Sequence, residues 1–268
     1  MNSKFPGVFE TATGNGQKSF RSSFTYNGKH ISLGSYKTAE AASAAYMTAH
    51  RIMKDRSIEI RDYSNDVSLK FDKFVSLINL RDNSIYFANP IYLCGKYFEY
   101  YFDSLTYATF DKDDLFYFSS HKIMKRGNHL FCEDFGAQVT IAQRFGIKAY
   151  SVAGRDHVFI NGDNMDFRRE NLEIINRYQG VRRKQTKLTV KYDVYIHING
   201  DFKVGSYKSE EIAAIAYNKA IDILTANKVA KNFTPNYIES ITGKEYAEIY
   251  SKVAISDKIT NYGTVPEG

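Results

Sequence analysis

Two stretches of the chain alternate apolar and polar residues closely enough to be read as strands. In Tyr192–Ile198 the residues Tyr192, Val194, Ile196 and Ile198 alternate with Asp193, Tyr195 and His197. A period of two predicts a strand with one apolar and one polar face. Asn199–Gly200, a strong short hairpin signal, comes next, and Phe202–Gly205 reads as the returning strand. Ser209 then predicts a helix N-cap, with Glu210 and Glu211 in the first turn of the helix. That helix carries Ala213, Ala214, Ala216, Tyr217 and Ala220, small residues that let it lie close on a sheet. Near the N-terminus the order returns. Phe20, Ser22, Phe24 and Tyr26 stand against Arg21, Ser23 and Thr25, followed by Asn27–Gly28 and by Thr38 before an alanine-rich helix. Each stretch predicts a three-stranded antiparallel sheet with one helix packed on its apolar face.

The two stretches are copies. FPGVF (Phe5–Phe9) answers YQGVR (Tyr178–Arg182), and YNGKHISLGSYKTAEAASAAY, ending at Tyr46, answers INGDFKVGSYKSEEIAAIAY, ending at Tyr217. The shared skeleton is aromatic-x-Gly-Val, Asn-Gly, Gly-Ser-Tyr-Lys and an alanine-rich helix closing on Tyr. An ordered series at matching spacing marks an internal repeat.

Charge follows the repeat. Residues 1–56 hold 8 basic and 3 acidic groups (+5), and 177–236 hold 11 and 5 (+6). The middle, 57–176, holds 14 and 17 (−3), and 237–268 hold 3 and 5 (−2). Two basic islands around an acidic middle point to two sites for a polyanion. Composition adds exclusions. At 43% hydrophobic and 25% charged the chain reads as an ordinary globular protein, and no apolar run is long enough for a membrane span. MNSKFPG does not read as a secretory signal. Cys94 and Cys132 stand far apart without a CxxC partner, which excludes a disulfide framework and a cysteine zinc finger.

With one sheet face under the helix, Arg182, Lys184, Tyr195, His197 and Lys203 are expected together on the other. Two readings of that face stay open: an ordinary solvated surface, or one shaped to a DNA major groove, which admits β-ribbons as well as helices. Here YQGVRRK…YIHINGDFKVGSYKSEEIAAIAYNKA…KNF resembles the DNA-binding domain of ethylene-response-factor (APETALA-type) proteins, found also in mobile-element and phage nucleases. The resemblance covers roughly 5–53 and 178–233. It implies DNA contacts from Arg182, with Arg183 beside it, and Lys184 on the first strand, Tyr195 and His197 on the second and Lys203 on the third. Copy one places Phe9, Thr11, Ser23, Thr25 and Ser32 there, with Lys18 and Arg21 nearby, so it keeps the fold residues and few of the charged ones.

The middle carries a second resemblance. HVFINGDNMDFRRENLEIIN (His157–Asn176) is similar to the end of an HNH homing-endonuclease domain: Ile160–Asn161–Gly162, Asp166, Arg168 and Asn171–Leu172 match in order. The family's metal-binding Asp, general-base His and orienting Asn correspond to Val158, Phe159 and Phe167, and its upstream His to Gln143; only Asn171, a second metal ligand, remains. Hydrolysis of a phosphodiester needs a base and a cation on the developing charge. Val and Phe supply neither. A relocated site from His157, Asp156 and Asp163 is the rival; two residues along a strand displace it by about 6–7 Å, more than catalysis tolerates. His121 and His129 read as partly exposed histidines with no second ligand at a fitting spacing.

The expected fold class is α+β. Two small sheet-plus-helix domains (1–56 and 177–236) flank a degenerate ββα-metal middle (90–176), with 57–89 a linker or subdomain and 237–268 a C-terminal helix, Lys244–Ala254, and a ten-residue tail. The expected function is non-catalytic binding of double-stranded DNA by a phage or mobile-element regulator or anti-defence factor, at the nucleoid of a bacterial cytoplasm, with no cofactor and no metal. The rivals are an endonuclease with a relocated site and an adaptor for a host protein such as a nuclease or polymerase. A homodimer contact is left open.

Overall fold

In the computed structural model the first repeat folds as β1 (Val8–Ala12), β2 (Lys18–Tyr26) and β3 (Lys29–Tyr36), antiparallel and in that order. Residues 4–12, 14, 16–127, 129–134 and 136–263 are described. Asn27 and Gly28 both take positive φ, 47° and 76°, between the paired Tyr26 and Lys29, so the two-residue turn matches the strand twist. Thr38 accepts a hydrogen bond from the Ala41 amide and starts α1 (Ala39–Lys54) as its cap. Ala42, Ala45, Ala49 and Ile52 are buried on this helix, with Val8, Phe24, Ile31 and Leu33 buried in the sheet.

The chain divides into two compact units, Met1–Ile141 with Asp163–Asn171, and Ala142–Gly162 with Leu172–Gly268. Segment 90–176 therefore contributes to both. The class is mixed α+β, built of small antiparallel sheets and helices.

In the first unit, segment 57–89 supplies a buried helix, α2 (Phe71–Asn83), whose residues from Phe74 to Arg81 are all buried. Its core is continuous with that of the repeat: Phe74, Val75, Leu77 and Ile78 join Phe24, Ile31, Leu33, Ala45 and Ile52 in one cluster. The buried polar groups of α2 are satisfied. Ser76 Oγ donates to the Asp72 carbonyl (2.7 Å), and the Arg81 guanidinium donates to the carbonyls of Ile52, Asp55 and Ile58 while pairing with Asp82. Next come β4 (Ile91–Leu93), β5 (Tyr97–Tyr101) and β6 (Tyr107–Asp111) as one antiparallel sheet, α3 (Leu115–Ser120), and a second sheet of β7 (Ile123–Arg126), β8 (His129–Asp134) and β9 (Ala137–Thr140). Asp163–Asn171 returns to β6: Thr109 N donates to the Met165 carbonyl and Phe167 N to the Thr109 carbonyl, both at 2.9 Å.

A single turn, α4 (Ile141–Arg144), leads into the second unit. There β10 (His157–Phe159) pairs antiparallel with β11 (Leu172–Ile174). No helix follows β11 where a ββα arrangement would put one; the chain enters the second repeat, β12 (Val181–Gln185), β13 (Val190–His197), β14 (Asp201–Tyr207) and α5 (Glu210–Ala226). Ser209 caps α5 by accepting from the Ile212 amide. The turn of this hairpin is one residue longer than in the first repeat. His197 pairs with Asp201, so three residues make the connection and the Ile198 amide donates to the Gly200 carbonyl.

The C-terminal helix, α6 (Gly243–Lys252), forms behind a Thr242/Glu245 capping box. The expected ten-residue tail is corrected in its first half. α7 (Asp257–Thr260) buries Ile259 in the core of the second repeat, and Tyr262 packs edge-on against Phe202. Apolar side chains at those positions find a core, so the chain does not leave the fold there. Residues 264–268 lie outside the described residues.

The two repeats share one lock. Gly7 and Gly180 have φ of +67° and +75°, and a Cβ on either would fall 2.3 Å or 2.4 Å from the ring of Tyr46 or Tyr217. The glycine of the aromatic-x-Gly-Val motif is thus set by the tyrosine that closes the helix. Its carbonyl then takes the amide of Ser23 (2.9 Å) or Tyr195 (2.8 Å), next to a bulge at Ser22/Ser23 and at Val194/Tyr195.

Candidate nucleic-acid interface

The bulge decides which side chains reach the open face of each sheet. It leaves an extra residue on the third strand, Leu33 opposite Ser22/Ser23 and Val204 opposite Val194/Tyr195, so alternation runs unbroken along β2 and β13 and restarts on β3 and β14. In the second repeat Val194 and Ile196 are buried toward α5, while Tyr195 and His197 emerge on the other side. From β12, Arg182 and Lys184 share that side, and from β14 Lys203 does so opposite Tyr195.

These side chains are in contact. The Arg182 guanidinium lies over the Tyr195 ring at 4.3 Å from its centroid, and the Lys203 ammonium stands 6.0 Å from it. Two carboxylates face them. Asp201 accepts from Arg182 Nη2 at 2.7 Å and pairs with His197 Nδ1 at 2.9 Å. Asp193 pairs with Lys203 at 3.1 Å and accepts from Ser206 Oγ. Hydrogen bonds from Arg182 and then His197 hold the Asp201 carboxyl below its ordinary range. At Asp193 burial pushes the carboxyl up, but Ser206 and Lys203 outweigh it and the net shift is downward.

A residue not read from the sequence joins them. Arg155, from the loop before β10, lines a cleft of about 210 Å³ with Tyr150, Arg182, Tyr195, His197 and Asp201. Its neighbour fixes it there: buried Asp156 takes Arg155 Nη2 at 2.7 Å, Asn176 Nδ2 at 2.9 Å and the Val152 amide at 2.9 Å. No local pattern announced Arg155; the pairing of Asp156 with Asn176, twenty positions away, brings it in.

Other expected contacts fall elsewhere. Arg183 stands on the same side as Val181 and donates to Gln185 at 3.2 Å, away from Arg182 and Lys184. Lys18 likewise lies on the helix side of its sheet, in an ion pair with Glu10 at 2.8 Å. On the open face of the first repeat Arg21, Thr25 and Ser32 are exposed and Phe9 is 41% exposed, but Ser23, at the place of Tyr195, is buried. Thr25 Oγ1 meets His30 Nδ1 at 3.4 Å. Among the described residues, the aromatic platform and its arginine belong to the second repeat.

No family model, curated protein or solved structure matches the chain.

The positions of the nuclease-like motif have structural work. In the second unit Gln143 is exposed, Val158 lies half-buried on β10, and Phe159 meets the His157 ring edge-on at 5.8 Å. His157 is buried, its Nδ1 2.8 Å from Ser151 Oγ, and burial pushes its imidazole below the ordinary value despite Asp156 beside it. In the first unit Phe167 is buried and stacks on Phe110 with centroids 5.5 Å apart. Asp166 receives Arg168 through Nε and Nη2 at 2.9 and 2.7 Å, and Asn171 Nδ2 donates to the Asp166 carbonyl at 2.8 Å. The residues that match the motif tie its loop together. Among the described residues no three His, Cys, Asp or Glu side chains group as a metal site, and no helix is long and apolar enough to cross a membrane.

Proposed function

We propose that the chain binds double-stranded DNA without cutting it, through the open sheet face of the second repeat. The observation that carries this reading is the Arg182–Tyr195 stack with Lys184, Lys203 and His197 around it, on a narrow three-stranded sheet whose other face is closed by α5. A strip three strands wide can enter a major groove, where an arginine edge reads guanine and lysines reach phosphates. Arg155 widens the strip. The resemblance to ethylene-response-factor domains supports the same face, and the first repeat, short of cations there, acts as a weaker contact that raises effective concentration.

The middle is a degenerate HNH-like segment serving as scaffold. His157 and Asp156, the core of a relocated site, are buried and already bonded to Ser151, Arg155 and Asn176. We place the protein among regulators or anti-defence factors of phage or mobile-element type.

The test is enrichment of bound duplexes from a random pool, then titration at several salt concentrations with magnesium or manganese present. Log affinity should fall linearly with log salt, with a slope near −0.9 for each phosphate contacted, and the recovered DNA should be intact. Affinity indifferent to salt removes the DNA reading. Nicking that disappears in His157→Ala establishes the nuclease instead.

A further inference from the structure

The cations that make the second repeat a candidate reader are not free in the unbound protein. Asp201 lies at the first position of β14, about half exposed, and its two carboxylate oxygens take different partners. Oδ2 receives Arg182 Nη2 at 2.7 Å and Oδ1 pairs with His197 Nδ1 at 2.9 Å. Two nitrogen-bearing side chains, from β12 and β13, thus converge on one carboxylate, in a cleft that Arg155 also lines. A backbone phosphate presents the same kind of target: negative oxygens able to accept from a guanidinium and an imidazole at once. We propose that Asp201 is an internal stand-in for DNA, which occupies Arg182 and His197 until a duplex displaces it, a phosphate taking its place at His197 and a base edge its place at Arg182, and so sets the threshold for binding.

The inference rests on the DNA reading of this face. Its energetics are suited to a threshold rather than a block. Both partners are partly exposed, at 35% and 48%, and exposed ion pairs of this kind hold weakly. A phosphate arriving with its neighbours can exchange for the carboxylate. Once exchanged, Asp201 stands close to the DNA backbone as a like charge, a cost every duplex meets whatever its sequence. Only a duplex that also offers Arg182 a base edge offsets it. Asp201 therefore acts as a positioning residue that disfavours general adherence to DNA more than binding at a preferred site.

The first repeat gives an internal comparison. By strand register, His30, opposite Thr25, takes the place that Asp201 has opposite His197, and Phe9 takes the place of Arg182. Where the arginine is missing, the carboxylate is missing too. The acid accompanies the reader.

The experiment uses the full chain and a scrambled 20-base-pair duplex at fixed salt. Asp201→Asn should tighten binding about tenfold and steepen the log–log salt slope by about one. Asp222→Asn, which removes the same charge from the exposed side of α5 where Asp222 meets Tyr250, should leave affinity unchanged. In an Arg182→Ala background the gain from Asp201→Asn should shrink to twofold or less, because the carboxylate then has no arginine to release. Weaker or unaltered binding by Asp201→Asn overturns the proposal. So does a tenfold gain that persists without Arg182, which would make Asp201 a point of plain repulsion. If the wild-type chain binds no duplex at any salt, the DNA reading itself has failed, a result distinct from either.

Discussion

Arg182→Ala separates the face as a reader from the face as part of the fold. In the unbound protein Arg182 has two attachments: the ion pair with Asp201, both side chains partly exposed, and the stack on Tyr195 at 4.3 Å. An exposed ion pair contributes about 0–1 kcal/mol, and an exposed cation–π contact about 0.5–1 kcal/mol. No buried group loses a partner. The variant should therefore lose at most about 1–2 kcal/mol of folding stability, read as a small shift of the urea midpoint with unchanged slope. Binding should respond differently. An arginine placed on a base edge is worth about 1–3 kcal/mol of discrimination, or roughly 5- to 150-fold between preferred and scrambled duplexes. Matched titrations on the two duplexes measure this ratio directly. If both affinities fall by the same factor, Arg182 is a phosphate contact and the reading of the face is wrong. If stability falls by more than discrimination does, the side chain belongs to the fold.

Gly180→Ala tests the lock: a left-handed alanine costs about 1–2 kcal/mol and overpacking against the Tyr217 ring about 1–3 kcal/mol more, whereas Gly28→Ala, with open space at its Cβ, should cost the backbone part alone. Urea unfolding compares the two, and equal losses would remove the steric argument. Acidification should destabilise the second unit through His157. Its folded value lies below the ordinary 6.5, so its contribution is complete above that pH and is lost as pH falls through it toward the lower folded value. His157→Gln should flatten the denaturant midpoint over that window, and an unchanged pH dependence would refute the assignment.

Much of each repeat was legible because its signals are local. The alternation at Tyr192–Ile198, the caps Thr38 and Ser209, and the turn at Asn27–Gly28 each act within a few residues. What escaped is long-range. Arg155 reaches the face only because Asp156 binds Asn176 across the β10–β11 hairpin. Arg183 and Lys18 carry the right charge on the wrong side of their strands, which composition does not report but register does. Segment 57–89 hid a helix because Ser76, Asn79 and Arg81 interrupt its apolar run; each is buried with hydrogen bonds, and such satisfaction has no sequence signature. Asp201 was present in the sequence as one acid among many, and its meaning comes only from the distances to Arg182 and His197.

The loop Asp163–Asn171 belongs to the first unit, where it pairs with β6, and lies in the chain between two segments of the second. A polypeptide stopped at residue 141 would lack Phe167 on Phe110, the Arg168 guanidinium over Tyr97 and the Asp111 carboxylate on the Arg169 amide. A polypeptide started at 142 would carry that same loop without the strand it pairs with. Neither half therefore keeps all its contacts when cut at residue 141. The chain passes between the two units three times, at 141/142, 162/163 and 171/172.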